Sequence, residues 1–376
     1  LQKNNIILPP KTIGIIGGGQ LGRMMAIAAK YMGYQVAVLD PTPNCPTAQV
    51  ADQQITAAYD DMQAIKQLTE LSDVITYEFE NVDLEAAAYI EEKGKLPQGA
   101  FALEVTQNRE KEKQNMRDAG LPVPDFFIVK NGEECSQALE SLTYPAVIKT
   151  CRGGYDGKGQ IKLTSEADNK EAIAFADQHQ HCIIEQWVSF DKEISVVFTR
   201  AQNGKIEFFP IGENDHKHHI LYQTTVPATI SDRVKQQAVD ATIKLAEKMN
   251  IVGTFAIEMF VDGDAIYLNE MAPRPHNSGH YTIEACNISQ FGQHIRAICG
   301  LPLTKIELLQ PAIMVNILGE DMEHALKHMA ESESGFIHLY GKDAIKEKRK
   351  MGHLTFIAET LEQVKQLVRS YEEEQA

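Results

Sequence analysis

GTFAIEMFVDGDAIYLNEMAPRPHNSGH, residues 253–280, is the stretch on which the reading of the fold turns. Two strongly apolar runs flank Asp262, Gly263 and Asp264, and Asp-Gly between such runs is a hairpin signal. Each arm carries one acid, Glu258 and Glu270. With Val261 facing Ala265 across the turn, the two carboxyls become diagonal neighbours on one sheet face. Carboxylates held together repel, and hard oxygen donors beside a substrate's phosphates suit Mg2+. Two solvated strand charges are the plainer alternative, but the apolar neighbours argue that an acid there needs a partner. The following APRPHNSGH (272–280) reads on its own as a polar connection. Beside a reacting phosphoryl or acyl group, Arg274, His276 and Asn277 would supply a cation and several hydrogen-bond donors.

Upstream, CRGGYDGKGQ (151–160) follows the strand PAVIKT, which carries Lys149. Gly153, Gly154, Gly157 and Gly159 leave backbone amides open to a polyphosphate and Lys158 adds charge, without a Walker A pattern. Taken alone, the loop reads equally as a surface turn. EQWVSFDKE (185–193) joins two strands; it can offer backbone and apolar faces to adenine, with Glu193 accepting ribose hydroxyls. A buried Trp187 beside an ordinary acid explains it as well. NDHKHHI (214–220) gathers His216, His218 and His219 without a metal-ligand spacing, and reads as a polar loop with His216 near the nucleotide. In YGKDAIKEKRKMGH (340–353), Lys342, Arg349 and Lys350 form either a solvated face or a clamp for an anion.

At the other end, GIIGGGQLGRM (14–24) satisfies G-x-G-x-x-G through Gly17, Gly19 and Gly22, and Asp40 closes the next apolar strand. That is the dinucleotide fingerprint, so an NAD-dependent oxidoreductase is a competing reading. It leaves the Glu258/Glu270 hairpin unexplained. Residues 12–100 alternate strand and helix, which implies a parallel sheet with its ligand beyond the strand ends, near Gly19 and Glu78. A charged helix over 108–119 precedes an α+β region, a helix over 232–250 precedes the hairpin, and a smaller α/β tail runs from about 312.

The chain has 376 residues and a formal charge of −16, which predicts more than one domain and disfavours nucleic acid or an anionic membrane as partner. No apolar run reaches membrane-spanning length. The opening LQKNNIILPPK lacks a signal-peptide pattern and reads as a processed end. Six scattered cysteines without a C-x-x-C pair suit free thiols in the cytoplasm.

Taken together, the lysine strand, glycine-rich lid, adenine hinge and two-carboxylate hairpin resemble the ATP-grasp enzymes. GGGQLGRM (17–24), YEFEN (77–81), GGYDGKGQ (153–160), NEMAPRPHNSGH (269–280) and RKMGH (349–353) extend the resemblance to the PurK-type family of 5-(carboxyamino)imidazole ribonucleotide synthases. The resemblance implies an ATP-grasp fold, α/β and α+β in class, in three parts. These are a Rossmann-like domain (1–105), an ATP-grasp domain (106–310, lid about 125–190 and core 191–310) and a small C-terminal domain (311–376). It implies ATP contacts from Arg109, Lys149, the lid residues Gly154, Tyr155, Asp156, Gly157, Lys158, Gly159 and Gln160, the hinge Glu185, Gln186, Trp187 and Val188, and Glu193, His216, Asn269 and Glu270. Mg2+ would lie between Glu258 and Glu270. Arg274, His276 and Asn277 would face bicarbonate, and Tyr155 and Asp156 would close over the reacting groups. The ribonucleotide would contact Gln20, Leu21 and Glu78, its phosphate held by Lys342, Arg349 and Lys350. The implied reaction is carboxylation of 5-aminoimidazole ribonucleotide by ATP and bicarbonate, through carboxyphosphate, in purine biosynthesis by a cytoplasmic homodimer. Other ATP-grasp ligases, such as formate-dependent glycinamide ribonucleotide transformylase, or a non-catalytic ATP-binding regulator, share part of this pattern.

Overall fold

Four short apolar runs form the first layer: β1 (Thr12–Ile16), β2 (Gln35–Leu39), β3 (Gln53–Ile55) and β4 (Val74–Tyr77). They pair in parallel in the order β3-β2-β1-β4. β1, β2 and β4 are buried along nearly their whole length, as parallel strands covered by helices on both faces must be. Helices Gln20–Tyr31 and Met62–Leu71 supply part of that cover, the second capped by Asp61, whose carboxylate accepts from the amides of Gln63 and Ala64. The structure, a computed structural model, describes residues 6–153 and 159–374.

The charged helix Arg109–Asp118, capped by Asn108, leads into an antiparallel sheet. Its strands are β5 (Phe126–Val129), β6 (Ala146–Thr150), β7 (Gln160–Leu163) and β8 (Cys182–Gln186), in the order β5-β8-β6-β7. The expected lid residues Gly154, Tyr155, Asp156, Gly157 and Lys158, between β6 and β7, lie outside the described residues.

The largest sheet holds β9 (Lys192–Arg200), β10 (Ile206–Phe208), β11 (Gly212–Lys217), β12 (Ile220–Val226), β13 (Gly253–Asp262) and β14 (Ala265–Ala272). β15 (Ala312–Leu318), β16 (Phe336–Leu339) and β17 (Lys350–Ile357) join it. Among the described residues the order is β14-β13-β9-β11-β12-β15-β17-β16, with β10 paired to β9. The tail expected from about residue 312 therefore continues the central sheet. Nearly every residue of AIMVNIL is buried, and both edges of that strand are bonded, by β12 and β17.

One face of this sheet is apolar: Ile194, Val196 and Phe198 of β9 and Ile257, Met259 and Val261 of β13 pack with Val234, Ala238, Ala241 and Leu245 of helix Asp232–Met249. Residues of the opposite parity point away from that core, and they include Glu193, Ser195 and Glu258. The polar end of this second face opens toward the other two sheets.

Candidate active site

The glycine loop after β1 has the shape of an anion site, but the protein fills it with its own acids. Gly18 N donates to Asp40 at 2.7 Å, Gly22 N to Glu78 Oε2 at 2.8 Å, and Gly19 N to Glu78 Oε1. Asp40 also accepts from the Tyr59 hydroxyl at 2.6 Å. The glycines are required by closeness: a Cβ on Gly22 would lie 2.7 Å from the Gly17 carbonyl oxygen. The anion expected at this helix N-terminus is thus the Glu78 carboxylate, which with Asp40 takes the amides of Gly18, Gly19 and Gly22 that a dinucleotide's pyrophosphate would need. Of the two helix-start residues, Gln20 is half-buried, whereas the Leu21 side chain packs in the core and keeps only its backbone for any ligand.

The lid sheet and the helix before it converge on one acid. Glu185 of β8 is 2% exposed, with Lys149 of β6 at 2.5 Å from one oxygen and Lys113 of helix Arg109–Asp118 at 2.9 Å from the other. The Lys113 contact is a buried ion pair. Burial alone would raise the Glu185 carboxyl; Lys113 and then Lys149 outweigh it and hold it far below the usual carboxylate range. Lys113 also donates to the Asn269 carbonyl at 2.7 Å, so one ammonium ties the lid to the hairpin. Arg109 bonds the Thr150 carbonyl at 3.0 Å, and the Gly159 carbonyl accepts from Thr150 N at 3.0 Å. Gln160 stands opposite Lys149 across β6 and β7.

In the hinge, the amides of Gln186 and Trp187 are already given to Asp125 and Pro145 carbonyls, so these two donors are not open to adenine. Trp187 is half-buried rather than buried, with the Lys162 ammonium 3.7 Å above its ring, and Val188 is half-buried beside it.

The hairpin differs from the expected register in an instructive way. Asp262 pairs with Ala265 and Met259 with Leu268, a register that would put Glu258 opposite Asn269 and send Glu270 to the other face. A bulge at Asn269 shifts the register by one, and Glu258 and Glu270 become direct rather than diagonal partners. The Glu258 carboxyl is pushed well above its ordinary range, by burial first and then by Glu270. Two facing carboxyls form a hard-oxygen pair in which a divalent cation fits. Among the described residues no group of three or more His, Cys, Asp or Glu forms a cage, so substrate oxygens and water would complete the shell, as Mg2+ prefers. Glu112 adds a third carboxyl nearby: it accepts from Met271 N at 2.6 Å, and burial and then Glu270 push it up to about 8.

His216 lies on β11, not in a loop; His218 and His219 take positive φ and form the two-residue turn into β12. Its Nδ1 contacts the Glu193 carboxylate. Arg274 pairs with Glu80 at 2.5 Å, fixing the guanidinium between the first sheet and the hairpin. The His276 ring is held well below the usual imidazole range by burial, then by Arg274 and Lys350. Its Nδ1 accepts from Ser278 N at 3.3 Å, which leaves the proton on Nε2. Asn277 is not turned wholly to a ligand: it exchanges two amide hydrogen bonds with Asn316 of β15, at 2.9 and 2.7 Å.

Lys342, Arg349 and Lys350 do converge. Lys342 donates to the Lys350 carbonyl at 2.6 Å, and burial, then Arg349, lower its ammonium to about 8. Arg349 donates to the Ala344 carbonyl at 2.9 Å. The Lys350 charge bears on Glu258 and His276, so the basic cluster adjoins the acidic pair. Gln49 donates to the Gly341 carbonyl at 2.8 Å and docks this loop on the first domain.

Sequence reasoning missed Glu80, Glu112, Lys113, Asn214 and Asn316. For Glu112 and Lys113 a signal existed: they share a helix face with Met116, the one strongly apolar residue of REKEKQNMRD.

Three domain families match the chain: the ribonucleotide synthetase preATP-grasp domain over residues 10–107, the ATP-grasp domain over 114–291, and the phosphoribosylaminoimidazole carboxylase C-terminal domain over 312–367. The N5-carboxyaminoimidazole ribonucleotide synthase of Bacillus subtilis is 51% identical, with 95% of this chain and 94% of that protein covered. A crystal structure of an ADP complex of an N5-carboxyaminoimidazole ribonucleotide synthetase superposes with a TM-score of 0.95 at 52% identity, covering 98% of each chain. The Aspergillus clavatus synthase in complex with ADP and 5-aminoimidazole ribonucleotide gives 0.90 at 32% identity, covering 97% of this chain and 98% of that one.

Proposed function

The chain belongs to the N5-carboxyaminoimidazole ribonucleotide synthase family, and on that premise we propose that it carboxylates the exocyclic amine of 5-aminoimidazole ribonucleotide, using ATP and bicarbonate. The observation that carries this reading is the junction of three sheets. There the acidic pair Glu258/Glu270, the basic cluster of Lys342, Arg349 and Lys350, and the Lys149–Glu185–Lys113 chain converge. One ligand with a triphosphate and another with a single phosphate match that charge pattern. Against the oxidoreductase alternative, the glycine-loop amides of Gly18, Gly19 and Gly22 are already taken by Asp40 and Glu78.

Lys149, 19% exposed along its side chain, is the accessible partner of Glu185; Lys113, 2% exposed, would keep that acid neutralised when Lys149 turns to a phosphate. Mg2+ between Glu258 and Glu270 would offset charge on the transferred phosphoryl group. An oxygen of bicarbonate attacks the γ-phosphorus, the bond to ADP breaks, and carboxyphosphate forms. Arg274 faces that dianion as a fixed cation. Neutral His276 donates from Nε2 to an oxygen and is no base in this state. The carboxyl carbon then passes to the amine nitrogen, its bond to the phosphate oxygen breaks, and inorganic phosphate leaves, taking up the proton that the amine gives up. Lys342, Arg349 and Lys350 hold the ribonucleotide's 5′-phosphate, and Gln20 and Glu78 lie beside its ring. Six free, buried cysteines support a reducing compartment, the cytoplasm, and the family resemblance supports a homodimer.

The test is phosphate release from MgATP with aminoimidazole ribonucleotide and bicarbonate each added or omitted. Product-coupled turnover is expected only when both are present; equal turnover with formate and glycinamide ribonucleotide would overturn the assignment.

A further inference from the structure

We propose that Asn214 is a nucleotide-binding residue whose side-chain amide donates to a phosphate oxygen of ATP seated beside Glu258. The inference rests on the ATP-dependent reading above and adds a contact to it.

Register puts Asn214 on the working face. On β11 it stands opposite Glu193 of β9, and Glu193 stands opposite Phe260 of β13. Two residues further along β9, Ser195 stands opposite Glu258, which faces Glu270. Side chains paired across strands share a face, so Asn214, Glu193, Ser195, Glu258 and Glu270 all point to the same side. Asn214 also lines one small cleft with Glu193, Glu258, Phe260 and Asn269.

The orientation of the amide is set from the far side. Thr224 of β12, fully buried, donates its hydroxyl proton to Asn214 Oδ1 at 2.9 Å. The reversed amide would aim its oxygen at a cleft already lined by Glu193 and Glu258, which the charges oppose. Nδ2 therefore faces the cleft. Asn214 is only 5% exposed, and Nδ2 is buried without a hydrogen-bond partner. Ser195 Oγ, 1% exposed and opposite Glu258, is unpartnered as well. Elsewhere in the same sheet a buried polar pair is satisfied internally: the Thr199 and Thr254 hydroxyls bond each other at 2.7 Å.

Buried donors without acceptors are costly unless a ligand completes them. Here the ligand must bring acceptor oxygens, and it must tolerate two adjacent carboxylates, which requires an accompanying cation. A metal-bound polyphosphate meets both conditions; an uncharged sugar or base meets neither as well.

The experiment is equilibrium binding of ATP, ADP and adenosine, each with Mg2+, to the full-length parent, Asn214→Ala and Asn214→Asp, alongside steady-state kinetics and thermal melts. One hydrogen bond to a charged acceptor corresponds to about a tenfold change in affinity. Asn214→Ala is expected to lose about tenfold for ATP and ADP and nothing for adenosine. The KM for the ribonucleotide stays unchanged. Asn214→Asp, which keeps the Thr224 contact but replaces the donor by a charge, should lose more. Thr224→Val, which frees the amide to flip, should give part of the Asn214→Ala loss. Equal loss for adenosine, or ATP affinity within twofold of the parent in a folded Asn214→Ala, overturns the inference. An inactive parent enzyme would instead overturn the functional reading beneath it.

Discussion

Replacing Lys113 by Met removes one ammonium that serves two places at once. Lys113 is 2% exposed, lies 2.9 Å from Glu185 Oε1 and 2.7 Å from the Asn269 carbonyl oxygen. Met fills the same volume but leaves Glu185 with Lys149 alone and the bulge carbonyl unpaired. Removing one partner of a buried pair costs about 3–5 kcal/mol. Because Lys149 remains at 2.5 Å, the lower end applies, about 3 kcal/mol. For a unit of 150–250 residues that corresponds to a fall in melting temperature of roughly 6–12 °C. The sign with pH follows from the depressed Glu185 carboxyl: its contribution is complete above the unfolded value near ~4.3 and is lost as pH falls through the folded value. The gap between parent and variant is therefore flat from neutral to mildly alkaline pH and narrows only in acid. Calorimetric melts across pH measure it, with Lys113→Arg recovering most of the loss. Because Lys149 is then bound to an acid with no second counterion, the KM for ATP also rises. A melting shift under about 2 °C, which at this size corresponds to under about 1 kcal/mol, would refute the coupling of lid to hairpin through Lys113.

Glu270→Ala removes the carboxylate facing Glu258, so metal-dependent ATP turnover should fall by at least roughly 100-fold. Without metal, its melting temperature should equal or exceed the parent's, since a like charge is gone; a large drop would contradict that. The free-enzyme kcat/KM for the ribonucleotide should decline above about pH 8 as Lys342 deprotonates, and the inflection should vanish in Lys342→Arg. An identical profile in that variant would assign the titration elsewhere. Asn316→Ala breaks the paired amides with Asn277 and the bond to the Leu221 carbonyl, costing about 2 kcal/mol of stability. It should lower kcat more than it changes the KM for ATP, which steady-state kinetics decide.

The architecture is legible where the pattern is local. The parallel sheet expected over 12–100 forms, the helix expected over 108–119 starts at its Asn108 cap, and the Asp-Gly turn closes the hairpin. The carboxylate pair is reached through a wrong register, because nothing in LNEM marks the bulge at Asn269; two errors of parity cancel only because the bulge exists. The pairing of Asn277 with Asn316 spans 39 residues and depends on the C-terminal strands entering the central sheet, which no local pattern reveals. Likewise YEFEN announces an acid after a strand, but not that Glu78 turns back onto the glycine-loop amides. Lys113 is masked by its company: among the charges of REKEKQNMRD only its position on the Met116 face sets it apart, and tertiary burial then uses that face.

The most direct test of the account is turnover with bicarbonate labelled in both carbon-13 and oxygen-18. If an oxygen of bicarbonate attacks the γ-phosphorus, the carbon label appears on the exocyclic nitrogen of the product, and one oxygen label appears in each inorganic phosphate released. Carbon transfer with unlabelled phosphate would contradict the carboxyphosphate route, and absence of the carbon label from the nucleotide would contradict the assignment itself.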